Sequence, residues 1–169
     1  MKVKEYALVI DMVECCGCLS CSVACKQEHD LPVGPQWITV YRDDIRMIEG
    51  RPRQRYTVTH CMHCHAPKCM KACPENAISR RSDGIVLIDA STCTGCRICM
   101  EACPFGVIRF DEGRGIARKC DLCVSRLDKG KQPACAAACI SHCIHAGEVA
   151  EVATKVGDNR LRLWRNETF

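Results

Sequence analysis

Sixteen of the eighteen cysteines in this 169-residue chain fall into four quartets: Cys15, Cys18, Cys21, Cys25; Cys61, Cys64, Cys69, Cys73; Cys93, Cys96, Cys99, Cys103; and Cys120, Cys123, Cys135, Cys139. The first and third read C-x2-C-x2-C-x3-C, the run in which three thiolates hold one [4Fe-4S] cubane and the fourth ligates a different cluster. Four quartets make room for four clusters, and the chemistry such clusters supply is one-electron transfer. Two residues between ligands let the chain curl around a cluster corner, and Gly17 and Gly95 sit where the backbone must come close to sulfur. The fourth cysteine lies past a helical turn and faces a neighbouring site, and Pro74 and Pro104 end that turn after Cys73 and Cys103.

Other cysteine chemistries fit less well. A disulfide framework belongs to an oxidising compartment, and the opening MKVKEYALVIDMVECCGC has no apolar run long enough for a secretory signal, so a cytoplasmic location is expected. Structural zinc takes two separated cysteine or histidine pairs per ion, a pattern unlike these quartets. Thioredoxin-like chemistry needs a single C-x-x-C in a βαβ setting. Of the six histidines, His29, His60, His63, His65, His142 and His145, none replaces a missing cysteine, which excludes a Rieske centre. His63 and His65 lie within the second quartet's loop, where a ring N–H could hydrogen-bond a sulfur, although plain packing or surface roles are the expected reading for them.

The formal charge of +4 counts every cysteine as a neutral thiol. Each cubane with its four thiolates carries roughly −2, so four would bring the loaded chain to about −4. Arginines cluster at Arg51/Arg53/Arg55, Arg80/Arg81, Arg114/Arg118 beside Lys119, and Arg160/Arg162/Arg165, without an unbroken basic run and interleaved aromatics, so no nucleic-acid partner is expected. No stretch approaches eighteen apolar residues, so no membrane span is expected. Aromatics make up only 5% of the chain. A chain that gives so many core positions to ligands must draw folding energy from metal–sulfur bonds.

The elements that position the quartets read as short helices and hairpins. Helical segments are expected at Cys21–Glu28, Cys69–Ala72 and Cys99–Ala102. Trp37–Tyr41 and Tyr56–Thr59 alternate as strands joined across a Gly50/Pro52 turn. Ala77–Ser79 and Ile85–Ile88 flank the turn Ser82-Asp83-Gly84, and Val107–Phe110 with Gly115–Ala117 form a third hairpin across Gly113.

These motifs resemble the four-cluster, ferredoxin-like electron-transfer beta subunits that accompany molybdenum or tungsten pterin enzymes of the dimethyl sulfoxide reductase type. The resemblance runs from residue 6 to about 148 and is carried by Cys15–Lys26, by His60–Pro74 with its gap His65-Ala66-Pro67-Lys68, and by Cys93–Phe105-Gly106. The fourth quartet adds Lys119-Cys120-Asp121-Leu122-Cys123 and a gap ending in Pro133-Ala134 before Cys135. It implies an α+β fold of tandem, interleaved bacterial-ferredoxin-like modules. The outer module would span 1–30 and 111–148, the inner 61–110, with a β-hairpin insertion at 31–60 and a tail at 149–169.

The resemblance also implies how ligands are exchanged between quartets. One cluster would take Cys15, Cys18, Cys21 and Cys139, and its mate Cys120, Cys123, Cys135 and Cys25. The inner pair would take Cys61, Cys64, Cys69 with Cys103, and Cys93, Cys96, Cys99 with Cys73. Four [4Fe-4S] clusters and no [3Fe-4S] variant are expected. The implied partner is a molybdenum- or tungsten-pterin catalytic subunit, with a further redox or flavin subunit, or a ferredoxin, as the other contact.

This chain departs from the family pattern after its last ligand, where Ile140 replaces a proline, His142 a glycine and Cys143 a small residue. Cys143 could substitute for Cys139 or remain a buried free thiol, and the second fits better four residues past a sound ligand. Cys16 is expected to be a non-ligand, with a side chain that could still tune a neighbouring cluster.

The chain itself is not expected to be an enzyme: every quartet is full, and no phosphate loop, dinucleotide fingerprint or Ser/His/Asp order occurs. Asp11, Glu14, Asp43 and Asp44 read as solvated charges rather than an acid–base pair. A rival reading is a free-standing polyferredoxin serving a hydrogenase or formate dehydrogenase. The tail Arg160–Arg165 alternates basic and apolar residues like an edge strand, either docking a partner or another copy of the chain, or closing the fold on itself.

Overall fold

The computed structural model describes residues 4–156, apart from the side chain of Ile48; the tail strand expected at 160–165 lies outside the described residues. Strands β1 (Tyr6–Ile10), β2 (Thr39–Arg42), β3 (Arg46–Ile48), β4 (Arg51–Arg53) and β5 (Tyr56–Thr59) lie in the first part of the chain, around helix α1 (Ser20–Glu28). Then follow α2 (Lys68–Lys71), β6 (Ile78–Arg80), β7 (Val86–Ile88), α3 (Ile98–Glu101), β8 (Arg109–Asp111) and β9 (Ile116–Arg118). The chain continues through α4 (Val124–Leu127), α5 (Ala134–Ala137), β10 (Ile144–Glu148) and α6 (Val149–Val156). This is an α+β fold of short helices and two-stranded ribbons.

Among the described residues there are five ribbons, all antiparallel, and four are local: β2–β5, β3–β4, β6–β7 and β8–β9. Inside the insertion the expected pairing of the Trp37 and Tyr56 segments becomes two nested ribbons. Thr39 opposes Thr59 at the base, and Arg46 opposes Arg53 near the tip. The outer strand starts at Thr39 because Trp37 and Ile38, 5% and 3% exposed, turn into the core. Pro52 lies within β4 rather than at the turn, opposite Met47; a two-stranded ribbon leaves outer positions at which proline's missing N–H costs nothing.

The fifth ribbon joins the two ends of the fold, with β1 against β10 and Tyr6 opposite Glu148. Side chains alternate across a strand. Leu8 and Ile10, with Ile144 and Ala146, face the larger core, which also holds Trp37, Val58, Ile85 and Leu122. Ala7 and Val9 face the other way and pack under α6 through Val152 and Val156, one helical turn apart. A second core of Ile78, Val86, Ile108 and Ala117 lies between the β6–β7 and β8–β9 ribbons. Cysteines are built into the two larger cores, which therefore converge on the quartets. Among the described residues no helix is long and apolar enough to cross a membrane.

Candidate metal centres

No disulfide joins any of the eighteen cysteines, and the quartet side chains gather into four groups. A cavity of about 330 Å3, measured out to its open mouth, is lined by Cys73, Cys93, Cys96 and Cys99. A second, about 310 Å3, is lined by Cys15, Cys18, Cys21 and Cys139, with Cys143 beside them. A third, about 300 Å3, is lined by Cys25, Cys120, Cys123 and Cys135 together with His29 and His60. In the fourth group, Cys64 and Cys69 both lie within electrostatic reach of Cys61 and Cys103.

The groups adjoin one another in a row. Cys135 feels Cys21 of the group that contains Cys139, Cys120 feels Cys61, and Cys99 feels Cys69. The group with Cys15, Cys18 and Cys21 is at one end and that with Cys93, Cys96 and Cys99 at the other. Among the quartet cysteines only Cys18 and Cys96 are exposed, one in each end group.

Local backbone explains how short loops present so many sulfurs. Gly17 and Leu19, and their counterparts Gly95 and Arg97, alternate with quartet cysteines at φ +68°, +64°, +73° and +65°. Left-handed residues in such turns aim successive N–H groups into one concavity, a recurrent anion cradle that iron–sulfur sites use. Side chains at Gly17 and Gly95 would collide: a Cβ on Gly95 would lie 2.2 Å from the Gly115 carbonyl oxygen. Leu19 and Arg97 then cap α1 and α3, which carry Cys21 and Cys99 onward.

The exits of three runs share one turn. The N–H groups of Asn76, Gly106 and His142 each donate to the carbonyl of the cysteine three residues earlier, Cys73, Cys103 and Cys139. All three turn residues have left-handed φ, +53°, +56° and +53°. His142 and Ile140 therefore leave the geometry after Cys139 intact. Cys143 is 3% exposed, and its sulfur lies 3.5 Å from that of Cys139.

The donor set suits iron–sulfur clusters. Burial pushes the thiols of Cys99 and Cys123 up to about 11 and that of Cys143 to about 12. Cys25, Cys120 and Cys135 are raised further, again chiefly by burial. Thiols so placed give up their protons to a metal rather than to water, so metal loading releases protons. His63 gives independent support. Its Nδ1 accepts the Val86 N–H at 3.0 Å, which leaves the proton of the neutral ring on Nε2. That nitrogen is buried with no protein acceptor among the described residues, as a donor to a bound sulfide or thiolate would be. His65 is exposed, and no sulfur contact is described for it.

His29 is a sulfur contact that the sequence reading missed. Its Nε2 lies 3.2 Å from Cys123 Sγ, and since a thiolate only accepts, the ring N–H is the donor in that state. The ring packs on Trp37 at 4.5 Å between centroids, and Arg118, itself over Trp37, donates to the His29 carbonyl at 2.9 Å. Asp121 lies 3.5 Å from the same ring nitrogen and accepts the Cys123 N–H at 2.8 Å. The available signal was spacing: His29 follows Cys25 by four residues, one helical turn, and so shares its face.

A model of the 4Fe-4S dicluster domain matches residues 53–149. The protein belongs to this family. It is similar to the B component of the anaerobic dimethyl sulfoxide reductase of Escherichia coli, 34% identical over 161 residues that cover 91% of this chain and 78% of that protein. The B component of the tetrathionate reductase of Salmonella typhimurium is 32% identical over 90% of this chain and 61% of its own length. Its counterpart in the selenate reductase of Mesobacillus selenatarsenatis is 33% identical over 85% and 60%. As a member of this family the protein is an iron-sulfur electron-transfer protein, and it is non-catalytic.

Proposed function

We propose that this chain is the electron-transfer subunit of a molybdenum- or tungsten-pterin oxidoreductase, carrying four [4Fe-4S] clusters and relaying single electrons between the catalytic subunit and an external carrier or further redox subunit. The observation that carries the reading is the sorting of the sixteen quartet cysteines into four adjoining groups of four, each drawn from two separate runs. The ligand sets would be Cys15, Cys18, Cys21 and Cys139; Cys25, Cys120, Cys123 and Cys135; Cys61, Cys64, Cys69 and Cys103; and Cys73, Cys93, Cys96 and Cys99. When bound, the clusters supply reversible one-electron redox chemistry over a wide range of potentials.

The chain's own residues do the rest. Ile10, Val58 and Ile144 wall the inner side of the cavity around Cys15, Cys18 and Cys21 with apolar side chains. Ile78, Ile88 and Ala117 do the same around Cys93, Cys96 and Cys99. Apolar walls and fixed N–H donors limit reorganisation when charge arrives. Exposure of Cys18 and Cys96 suits the two end groups to exchange with outside partners. Full quartets leave no open metal position for substrate, in keeping with a relay. Relatives named as the B components of multi-part reductases favour the subunit reading over a free polyferredoxin. A cytoplasmic site of assembly follows from the need to keep sixteen ligand thiols reduced until they are loaded.

The test is metal analysis of the anaerobically purified native complex, with Cys139→Ala and Cys143→Ala variants beside it. About sixteen irons per chain, with molybdenum or tungsten in a co-purifying subunit, is the expected result. Cys139→Ala should lose iron, whereas Cys143→Ala should keep all of it. Zinc in place of iron would overturn the proposal, and full iron with neither partner nor pterin metal would replace it with the free polyferredoxin.

A further inference from the structure

Lys119 is 3% exposed, a depth at which lysine is rarely found without a partner. Its ammonium donates to the Val86 carbonyl and, at 3.0 Å, to the Cys120 carbonyl. Among the described residues it has no carboxylate partner, and its third N–H has no protein acceptor. Two neutral carbonyls do not balance a buried charge, and burying an unpaired ammonium is among the costlier things a fold can do.

What surrounds Lys119 identifies the missing countercharge. Val86, whose carbonyl it reaches, is itself tied to the second quartet's loop through its N–H to His63 Nδ1 at 3.0 Å, while the Cys120 carbonyl belongs to the fourth quartet; so placed, the charge favours the thiolate at Cys64 and Cys69 on one side and at Cys120 on the other. The two groups it touches, that of Cys61, Cys64, Cys69 and Cys103 and that of Cys25, Cys120, Cys123 and Cys135, are the middle two of the row. Strand β7 supplies one carbonyl and the fourth quartet the other, so the ammonium is pinned where the inner and outer groups meet. We propose that Lys119 is a positioning residue, a fixed buried cation shared by the two middle groups, whose countercharge is the anionic cluster held on each side.

This rests on the four-cluster reading and adds an electrical asymmetry to it. A cation between the two middle groups stabilises the extra electron at either one, so both middle potentials sit higher than the same ligands would otherwise give. The end groups, one neighbour further away, feel it much less.

The experiment compares the full-length protein with Lys119→Met, which keeps the stem but removes the charge, and Lys119→Arg, which keeps the charge. Iron per chain and anaerobic redox titration followed by electron paramagnetic resonance are measured on all three. The expected result is that Lys119→Met shifts two of the four midpoint potentials downward and leaves the other two in place, while Lys119→Arg restores most of the shift. If Lys119→Met loses iron, Lys119→Arg decides: retention of iron by the arginine variant supports a charge requirement, and equal loss in both makes the residue a packing element and overturns the proposal. Full iron with all four potentials unmoved, or all four moving together, would also overturn it. Wild-type protein that lacks four clusters would instead count against the functional reading, and the two failures are thus distinguishable.

Discussion

Gly95→Ala should be among the most damaging single-methyl changes in this chain, and its cost can be built from two parts. At φ +73° an alanine carries left-handed backbone strain, roughly 1–2 kcal/mol. The new Cβ would also lie 2.2 Å from the carbonyl oxygen of Gly115, in the β8–β9 turn, and 3.3 Å from the Phe110 ring. Because the nearest atom is backbone, the turn has to move, and overpacking of this kind costs about 1–3 kcal/mol more. The total of about 2–5 kcal/mol is a large part of a typical domain's stability. Two other glycines separate the parts. A Cβ on Gly106, at φ +56°, meets nothing within 4 Å, so Gly106→Ala should pay the strain alone. A Cβ on Gly17 meets Tyr56 at 2.2 Å, but that neighbour is a half-buried side chain that can swing aside. The assay is anaerobic thermal bleaching of the visible cluster absorption, with iron per chain as a second reading. Losses should rank Gly95→Ala above Gly17→Ala above Gly106→Ala. Should Gly95→Ala prove no worse than Gly106→Ala, the argument that the Gly115 carbonyl is immovable would fail.

Replacing His29 with Phe removes the N–H 3.2 Å from Cys123 Sγ while keeping a ring against Trp37, so one midpoint potential should fall with iron content unchanged; loss of iron would instead make the ring's role structural. Asp111 is held below the usual carboxylate value, first by its hydrogen bond from Arg118 at 2.8 Å and despite burial. A depressed carboxylate stabilises the fold above its unfolded value near ~3.9 and stops doing so only as pH falls through the lower folded value. Asp111→Asn should therefore lower the thermal midpoint by the same amount at every pH from about 8 to 5, and a deficit already shrinking in that interval would contradict the assignment. Removing iron by chelation should collapse the far-ultraviolet circular dichroism signal, because the cores are built around ligand positions; native-like content in the iron-free chain would show that they stand alone.

What the sequence made legible follows the range of the interactions involved. The β6–β7 and β8–β9 ribbons were readable because turn residues and alternating strands lie side by side, and their ends came out within two residues or so. The β1–β10 ribbon was not, although Tyr6–Ile10 is an apolar run of strand length, because nothing local names a partner at the far end of the fold. The first and third quartets announce themselves by spacing. Spacing alone cannot say that Cys139 lines a cavity with Cys15, Cys18 and Cys21, since that depends on α5 and β10 closing against α1 and β1. Lys119 and His29 were missed for a related reason. A lysine beside a cysteine reads as a surface charge until its burial is known, and His29 reads as the end of a helix until Cys123 arrives beside it.

The run after Cys139 shows which part of a cluster motif is chemical and which is geometric. Asn76, Gly106 and His142 make the same left-handed turn with three different side chains, so the turn is imposed by the need to leave a quartet cysteine and enter a strand. Glycine makes that turn without strain, asparagine tolerates it, and histidine pays on the order of 1–2 kcal/mol. The strain at His142 persists because the next residues are fixed independently. Cys143 and Ile144 are buried, and the Asp11 N–H donates to the Cys143 carbonyl at 2.8 Å, tying the exit to the end of β1. That tie also gives Cys143 a sufficient role as packing. Its sulfur comes near Cys139 because the turn and the strand bring it there, and the four ligands proposed for that group, Cys15, Cys18, Cys21 and Cys139, line the cavity together without calling on it.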